Sequence, residues 1–493
     1  MRYFAILLSG CIGFLSLSQE ILWVRLVSFM NQGTPQAFAE VLCIFLFGIA
    51  AGAAAGRRLC EKSYDLVVAS GAMLLLSSAV DMTIVFIPST GDLVSILCVP
   101  VLIFGSALLK SSLFPIVHHL GSANSRRGLG ISVSIVYYAN IIGSTLGPLI
   151  TGFVVLDHLG LRQTFLCIGI ADLFLASACF AVARSRTALG LASTAAVASL
   201  FIPGMQLLPS PSYSAQEVKR IIENRHGIIH VHEGGISGDA IFGGNVYDGR
   251  INTDLLLNSN GIHRVYILAA LHNAPKRILL IGLSGGSWTK ILSGMEGIEH
   301  IDAIEINSGY LDLIRSYPEV SDILTNPKIK IVIDDGRRWL KRNPGNKYDL
   351  IVMNTTYHWR SYSSNLLSIE FLRLLRNHMN LDAIVTFNST GSMDTFKTAV
   401  TIFPHAYLYD NFIIAGNDDF RRNLPGGFDR VARMRWDTRP IFDLQRKADV
   451  DAIRKMLTVP FRTFAEIQQG SPRLYEVITE QNMITEYKYG RGL

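Results

Sequence analysis

The stretch from Arg277 to Asn307, RILLIGLSGGSWTKILSGMEGIEHIDAIEIN, decides the fold. Residues 277–281 are an apolar run of strand length. Residues 282–287, GLSGGS, form a turn whose glycines admit positive φ and let a ligand approach the backbone. From Trp288 a helix begins, its free N–H groups facing that ligand. A second strand over 300–304 then delivers Glu305 at its carboxyl end. An acid about twenty residues past a glycine turn is placed to accept hydrogen bonds from a ribose.

From Lys276 onward this pattern repeats. Strands are expected near 277–282, 300–305, 328–333, 348–354 and 382–388, with helices near 287–295, 308–316, 364–378 and 391–402. Such alternation predicts a doubly wound parallel sheet with ligands at the strand carboxyl ends. Residues 407–415, YLYDNFIIA, read as a closing hairpin. Upstream, residues 227–254 alternate apolar and polar between glycines, the pattern of a small antiparallel β unit.

The 493 residues are 49% hydrophobic and only 17% charged, averages that hide two unlike halves. Apolar runs near 3–30, 36–56, 65–88, 93–117, 129–156, 163–183 and 187–207 predict about seven spans of the ~20 residues a bilayer requires. The first lacks a cleavage site and is followed at once by others, so it reads as a span rather than a signal peptide. The chain therefore divides into a polytopic membrane domain (1–207) and a connector with a short helix (208–226). A small β domain with a lead-in helix follows (227–275), then a Rossmann-like domain (276–440) and a C-terminal helical and loop extension (441–493).

Gly48, Gly52 and Gly56 line one helix face, which lets a neighbouring helix pack closely and offers a route to a homo-oligomer. Glu20, Arg25, Glu40, Asp81, Lys110 and Asp172 interrupt the apolar runs; they fit either a polar path between helices or internal ion pairs. The basic connectors (Arg57, Arg58 and Lys62; Arg126 and Arg127; Arg184 and Arg186) fall on alternate loops, so they share one face and mark the cytoplasmic side of a cell membrane. Seven spans put the soluble half outside; six, or the demands of an intracellular cofactor, put it inside. A net charge of +6 without a basic tract argues against nucleic acid. The six cysteines all lie before residue 180 and form no CxxC, so no metal site is expected.

Asp335 and Gly336 follow the third strand. The acid can accept a hydrogen bond from an adenine amino group or cap the next helix. With Gly282, Ser284, Gly286 and Glu305, this constellation resembles the adenosine pocket of class I S-adenosylmethionine folds. The chain as a whole resembles the membrane-fused spermidine synthase (polyamine aminopropyltransferase) family. The resemblance rests on SQEILWVRLVSF and FLFGIAAGAAAGRRL in the first spans, on YDGRINTD, and on IGLSGGS, AIEIN, VIDDGRRWL and KYDLIVMN in order. It implies S-adenosylmethionine or its decarboxylated form as group donor and an amine, a lipid or another membrane-proximal molecule as acceptor.

Departures gather at the reactive centre. Gly285 stands where the family carries the aspartate facing the aminopropyl amine, and Asn307 replaces a second acid. Asn260-Gly261-Ile262 replaces the polyamine-holding Tyr-His-Glu. Asn354 replaces the general base, and an amide cannot take a proton from an ammonium. The loop Asn354-Thr355-Thr356-Tyr357-His358-Trp359-Arg360 offers other chemistry. His358 is a candidate base, with Asn354 and Tyr357 beside it, while Trp359 offers an aromatic plane and Arg360 a carboxylate or phosphate contact. Asn252 and Asn388 complete the expected substrate contacts. Three functions follow as expectations: a transferase, a non-catalytic ligand-binding membrane protein, and transport by the helical half.

Overall fold

A computed structural model describes residues 1–84, 93–123, 128–202 and 217–490, with side chains from residue 96 in the second of these segments and all but that of residue 129 in the third. The chain forms two compact units, Met1–Ala215 with Glu223–Ile228, and Gln216–Ile222 with Ile229–Leu493.

In the first unit, six helices are long and apolar enough to cross a membrane. They begin with α1 (Arg2–Met30), α2 (Gln36–Cys60), α3 (Leu66–Thr83), α4 (Leu93–Ser122) and α5 (Leu129–Ile150), which runs on through a π-helical turn, Thr151–Val155. The sixth is Leu161–Val182. The expected seventh span is a correction: it forms only the 14-residue helix Arg186–Ser199. At 1.5 Å per residue that is roughly 21 Å, short of the ~30 Å hydrocarbon core. Residues 203–207 of that span lie outside the described residues.

The small-residue faces are used inside the unit. A Cβ on Gly52 would sit 2.3 Å from Leu108 O, and one on Gly56 would sit 2.1 Å from Ser112 O. The Gly48/Gly52/Gly56 face therefore packs on α4 backbone to backbone and is not free for a second copy, which corrects the oligomer expectation. Gly143 and Gly147 do the same against Gly10 and Phe14 of α1. Three of the six polar interruptions gather in one buried cluster. Lys110 Nζ lies 2.7 Å from Asp81 Oδ2 and 2.9 Å from Asp172 Oδ2. It also donates to Gln19 Oε1 and Ser77 Oγ, each at 2.8 Å. Arg25 donates to the carbonyl oxygens of Arg225 and Gly227 within this unit, and Glu40 accepts from Asn31.

The second unit begins with four strands in the order β1-β2-β3-β4, comprising Val218–Asn224, Gly227–His232, Ala240–Gly243 and Tyr247–Arg250. The short helix expected in the connector is here β1. Asn224 turns the chain by accepting from the N–H groups of His226 and Gly227, and this local turn outweighs helix propensity. After the helix His263–Leu271 come β5 (Arg277–Ile281), β6 (His300–Glu305), β7 (Ile329–Ile333), β8 (Tyr348–Met353) and β9 (Met379–Asn388). Then follow β10 (His405–Tyr409), β11 (Phe412–Gly416), the short ribbon β12 (Arg435–Trp436) and β13 (Arg439–Pro440), and β14 (Phe461–Arg462).

The main sheet has eight strands in the order β14-β10-β11-β9-β8-β5-β6-β7. β9, β8, β5, β6 and β7 run parallel, while β11, β10 and β14 add antiparallel at one end. β5 and β8 are buried on both faces along Ile278–Ile281 and Leu350–Met353, as those continuous apolar runs require. Helices cover the two faces over two apolar clusters, one around Leu280 and Val352 and the other around Leu279 and Ile351.

The extension for which the sequence suggests no task is tied into this unit. β14 pairs with β10 through Phe461 and Tyr409. Asp394, fully buried, accepts from Arg473 Nη2 at 2.5 Å and from Glu476 N at 2.7 Å. Glu486 accepts from Tyr362 N at 2.9 Å and Ser364 N at 2.8 Å. The tail thus caps the end of the loop that follows β8.

Candidate functional site

Chain direction and strand order bring the carboxyl ends of β5, β6, β7 and β8 together at one edge. The turn after β5 needs its glycines. Gly282 has φ +90°, and a Cβ there would lie 2.6 Å from Asn354 O; Gly286, φ +80°, would meet Ile323 at 2.6 Å. Ser284 between them is also left-handed, φ 47°, which costs an ordinary residue about 1–2 kcal/mol. Gly336 is required for contact: a Cβ would come 2.6 Å from Ile281 Cγ2.

Glu305 is the centre of this edge. Its Oε2 accepts from Leu283 N at 2.8 Å and Ser284 N at 3.4 Å, and Oε1 accepts from Asn307 N at 2.9 Å. The turn amides therefore orient the acid, and Oε1, which accepts one bond, keeps a lone pair for a further donor. Burial pushes the Glu305 carboxyl up to about 7; the Asp248 charge adds to this and the backbone N–H groups oppose it. Ile306, beside it, is 56% exposed, an apolar side chain left open at a polar edge. Asp335 caps the following helix through Arg338 N at 2.8 Å, as its alternative reading expected. Its Oδ2 makes no hydrogen bond among the described residues.

Opposite the turn stands β4. Asp248 Oδ2 accepts from the Tyr310 hydroxyl at 2.6 Å, and Asp248 O lies 3.5 Å from Ser284 Oγ. Burial first, then the charges of Asp248 and Glu305, hold the Tyr310 phenol well above its ordinary value, so it stays a donor. Neither Asp248 nor Tyr310 was singled out from the sequence. The only signal was that Asp248 lies in the quoted segment YDGRINTD.

The loop after β8 divides by side. His358 donates from Nδ1 to Thr390 O at 2.7 Å, and its N–H donates to Thr390 Oγ1 at 3.1 Å. Its other polar neighbours are Asp394 and the Gly490 backbone. Burial lowers the His358 imidazole below its ordinary value and so favours the neutral ring. It pins the loop to the turn after β9. Tyr357 and Arg360 lie on the β4 side. Arg360 Nη1 donates to Thr356 Oγ1 at 2.8 Å, and a Cβ on Gly244 would meet Arg360 Nη2 at 2.7 Å. The Tyr357 and Trp359 rings lie 5.5 Å apart.

The remaining expected residues fall elsewhere. Asn252 is occupied by its own loop: Oδ1 accepts from Asp254 N at 2.9 Å, and Nδ2 donates to Asp254 O and Ser259 O. Asn388 Oδ1 accepts from Thr390 N and from Asn411 Nδ2. Asn354 closes against Gly282 through its backbone oxygen. Around Gly285 the space is filled, since a Cβ would lie 2.4 Å from Ile241 Cδ1 and 2.5 Å from Ile251 Cδ1. The acid that the resemblance expects there is replaced by an aliphatic wall.

Residues 265–403 match the family described as Spermine/spermidine synthase domain. A polyamine aminopropyltransferase of Alkaliphilus metalliredigens is 33% identical over 93 residues, 19% of this chain and 32% of that protein. One of Agathobacter rectalis is 37% identical over 92 residues, 18% of this chain and 32% of the relative. The match spans about a third of the length of these relatives. Among solved structures, a spermidine synthase in complex with the transition state analogue AdoDATO aligns at TM-score 0.40 and 14% identity, over 51% of this chain and 87% of that one. The spermidine synthase from Thermotoga maritima aligns at 0.39 and 14%, over 51% and 86%. The chain carries a spermidine synthase-like domain, and the matched relatives are transferases.

Proposed function

From that domain assignment, we propose that the second unit binds S-adenosylmethionine or its decarboxylated form and transfers an aminopropyl or other alkyl group to an amine. The observation that carries this is the oriented Glu305, held by the turn amides between the carboxyl ends of β5 and β7. In this proposal Glu305 accepts the ribose hydroxyls, Ile306 covers the ring and Asp335 Oδ2 receives the adenine amine. The amine lone pair attacks the carbon beside the sulfonium. The C–S bond breaks, its electrons pass to sulfur to give a neutral thioether, and the amine proton passes to Asp248. We assign the proton to Asp248 rather than His358, because His358 bonds toward Thr390 while Asp248 shares Tyr310 with Glu305.

We read the first unit as a membrane anchor. Six spans return the chain to the face of its amino terminus, which the basic connectors make cytoplasmic, where the donor is made. A second reading, ligand binding without transfer, is favoured by Asn354 and by the filled space at Gly285.

Calorimetry on the detergent-solubilised full chain tests the first reading. Binding of S-adenosylmethionine, its decarboxylated form or methylthioadenosine supports it; binding of none by folded protein refutes it. Asp248→Asn is expected to retain donor binding and lose turnover, and unchanged turnover would return the proton to another group.

A further inference from the structure

The family's acceptor is a polycation, yet this site lacks three of the expected anions and holds two arginines without a salt-bridge partner among the described residues. Gly285, Asn307 and Asn354 stand at three positions where the resemblance places carboxylates. The first is packed by Ile241 and Ile251, and Asn307 Oδ1 is committed to Gly309 N at 2.9 Å. In the same region lie two guanidinium groups with no carboxylate within 4.0 Å among the described residues. Arg264 is 8% exposed. It stacks on Phe412, with its guanidinium carbon 4.4 Å from the ring centre, and donates to three neutral oxygens, those of Gly261, Asn260 and the Asn411 side chain. Among the described residues the Arg360 side chain makes one hydrogen bond, to Thr356 Oγ1, so most of its five guanidinium N–H groups are open to a further acceptor. Across the site it feels the charge of Asp248 and the Tyr310 phenol, the hydrogen-bonded pair beside Glu305. A guanidinium stays charged even where burial opposes it. One with no carboxylate in salt-bridge contact disfavours a polyamine and draws a carboxylate or phosphate, which its planar fork grips in pairs of bonds.

Building on the transferase reading above, we propose that the acceptor is an amine that also carries an anionic group, a carboxylate or a phosphate, and that Arg360 reads that group. Arg264 acts as a positioning residue, since its bonds fix the Asn260 and Asn411 segments. The anion has two natural sources, a soluble amino acid or amino-phosphate and the headgroup of an aminophospholipid. The chemistry at Arg360 is the same for both.

The test measures binding to the full chain preloaded with methylthioadenosine. The probes are putrescine, 4-aminobutyrate, O-phosphoethanolamine, and vesicles of phosphatidylethanolamine with phosphatidylcholine vesicles as control. The expected result is that at least one amine-anion probe binds roughly tenfold or more tightly than putrescine, the ratio set by a charge-assisted contact. Arg360→Met is expected to erase that preference while methylthioadenosine still binds. Arg360→Lys, which retains the charge but not the fork, is expected to keep part of it. Binding confined to phosphatidylethanolamine vesicles assigns the lipid source, and binding of the small probes assigns the soluble one. Putrescine binding as tightly as every anionic probe, or no anionic probe binding, overturns the proposal. So does a preference that survives Arg360→Met. Failure of methylthioadenosine itself to bind would instead refute the transferase reading.

Discussion

If Glu305 reads the ribose as a carboxylate, nucleoside binding must follow its ionisation. The perturbation is pH, between 5.5 and 8.5. Burial sets the Glu305 carboxyl at about 7, so this range spans its titration. Only the anion is an acceptor at both oxygens, Oε2 toward the turn amides and Oε1 toward a ribose hydroxyl, and apparent affinity scales with the fraction of protein in that form. The ionised fraction is ~0.9 at pH 8 and ~0.1 at pH 6, so the dissociation constant should rise about tenfold between them. The sign is fixed: binding strengthens as pH rises through 7. Methylthioadenosine is the right probe because it is uncharged throughout this range. Calorimetry in buffers of different ionisation heat should also show release of close to one proton on binding at pH 6, since the ligand selects the ionised form. Glu305→Gln imitates the protonated acid, so its affinity should be flat with pH and near the acidic limit of the natural protein. A dissociation constant that changes less than about twofold between pH 6 and pH 8 would refute the reasoning, as would a steep dependence that persists in Glu305→Gln.

Gly285→Asp, which supplies the acid that the resemblance leads one to expect, should lower unfolding stability by about 2 kcal/mol or more, because its Cβ meets two buried isoleucine methyls and its charge enters an aliphatic wall. A Tm close to that of the natural protein would show that the wall yields. Asp394→Ala leaves Arg473 without its buried partner and should cost about 2–4 kcal/mol, less than a fully buried pair because Arg473 keeps some solvent. It should appear as faster proteolysis of residues 471–490, and a tail as resistant as before would contradict it. Lys110→Met strands Asp81 and Asp172 in the helical unit and should cost roughly 3–5 kcal/mol. Adding Asp172→Asn should restore part of the loss, measured by thermal unfolding in detergent.

Much of the second unit is legible in the sequence because its signals are local. A glycine that must adopt positive φ, an apolar run of strand length and an acid at a strand end lie within a few residues of each other. The parallel strands β5 to β9 accordingly fall close to the expected positions. β1 was misassigned, because a turn built by Asn224 is a side-chain event that helix propensity does not register. The seventh apolar run was similarly overvalued: composition counts apolar residues, whereas spanning requires an unbroken helix, and Arg186–Ser199 is too short.

The site residues separate along the same line. The turn glycines Gly282 and Gly286, the close-packed Gly336 and the strand-end position of Glu305 could be named from the chain alone, since each follows from its own backbone position. Whether Gly285 leaves room for a ligand depends on Ile241 and Ile251, which reach it from the β unit. Asp248 and Tyr310 meet at 2.6 Å across 62 residues, and the tail braces the site loop across 124. No periodicity records such meetings. By itself the sequence determined the alternation of strands and helices, the glycine turn and its acid, and the apolar half, all set by local sterics and hydrophobic pattern. Only the tertiary structure decided which faces are already occupied, which way the His358 and Arg360 side chains turn, and that Arg264 and Arg360 lie without a carboxylate within 4.0 Å among the described residues. Those outcomes depend on packing and charge between residues far apart in the chain.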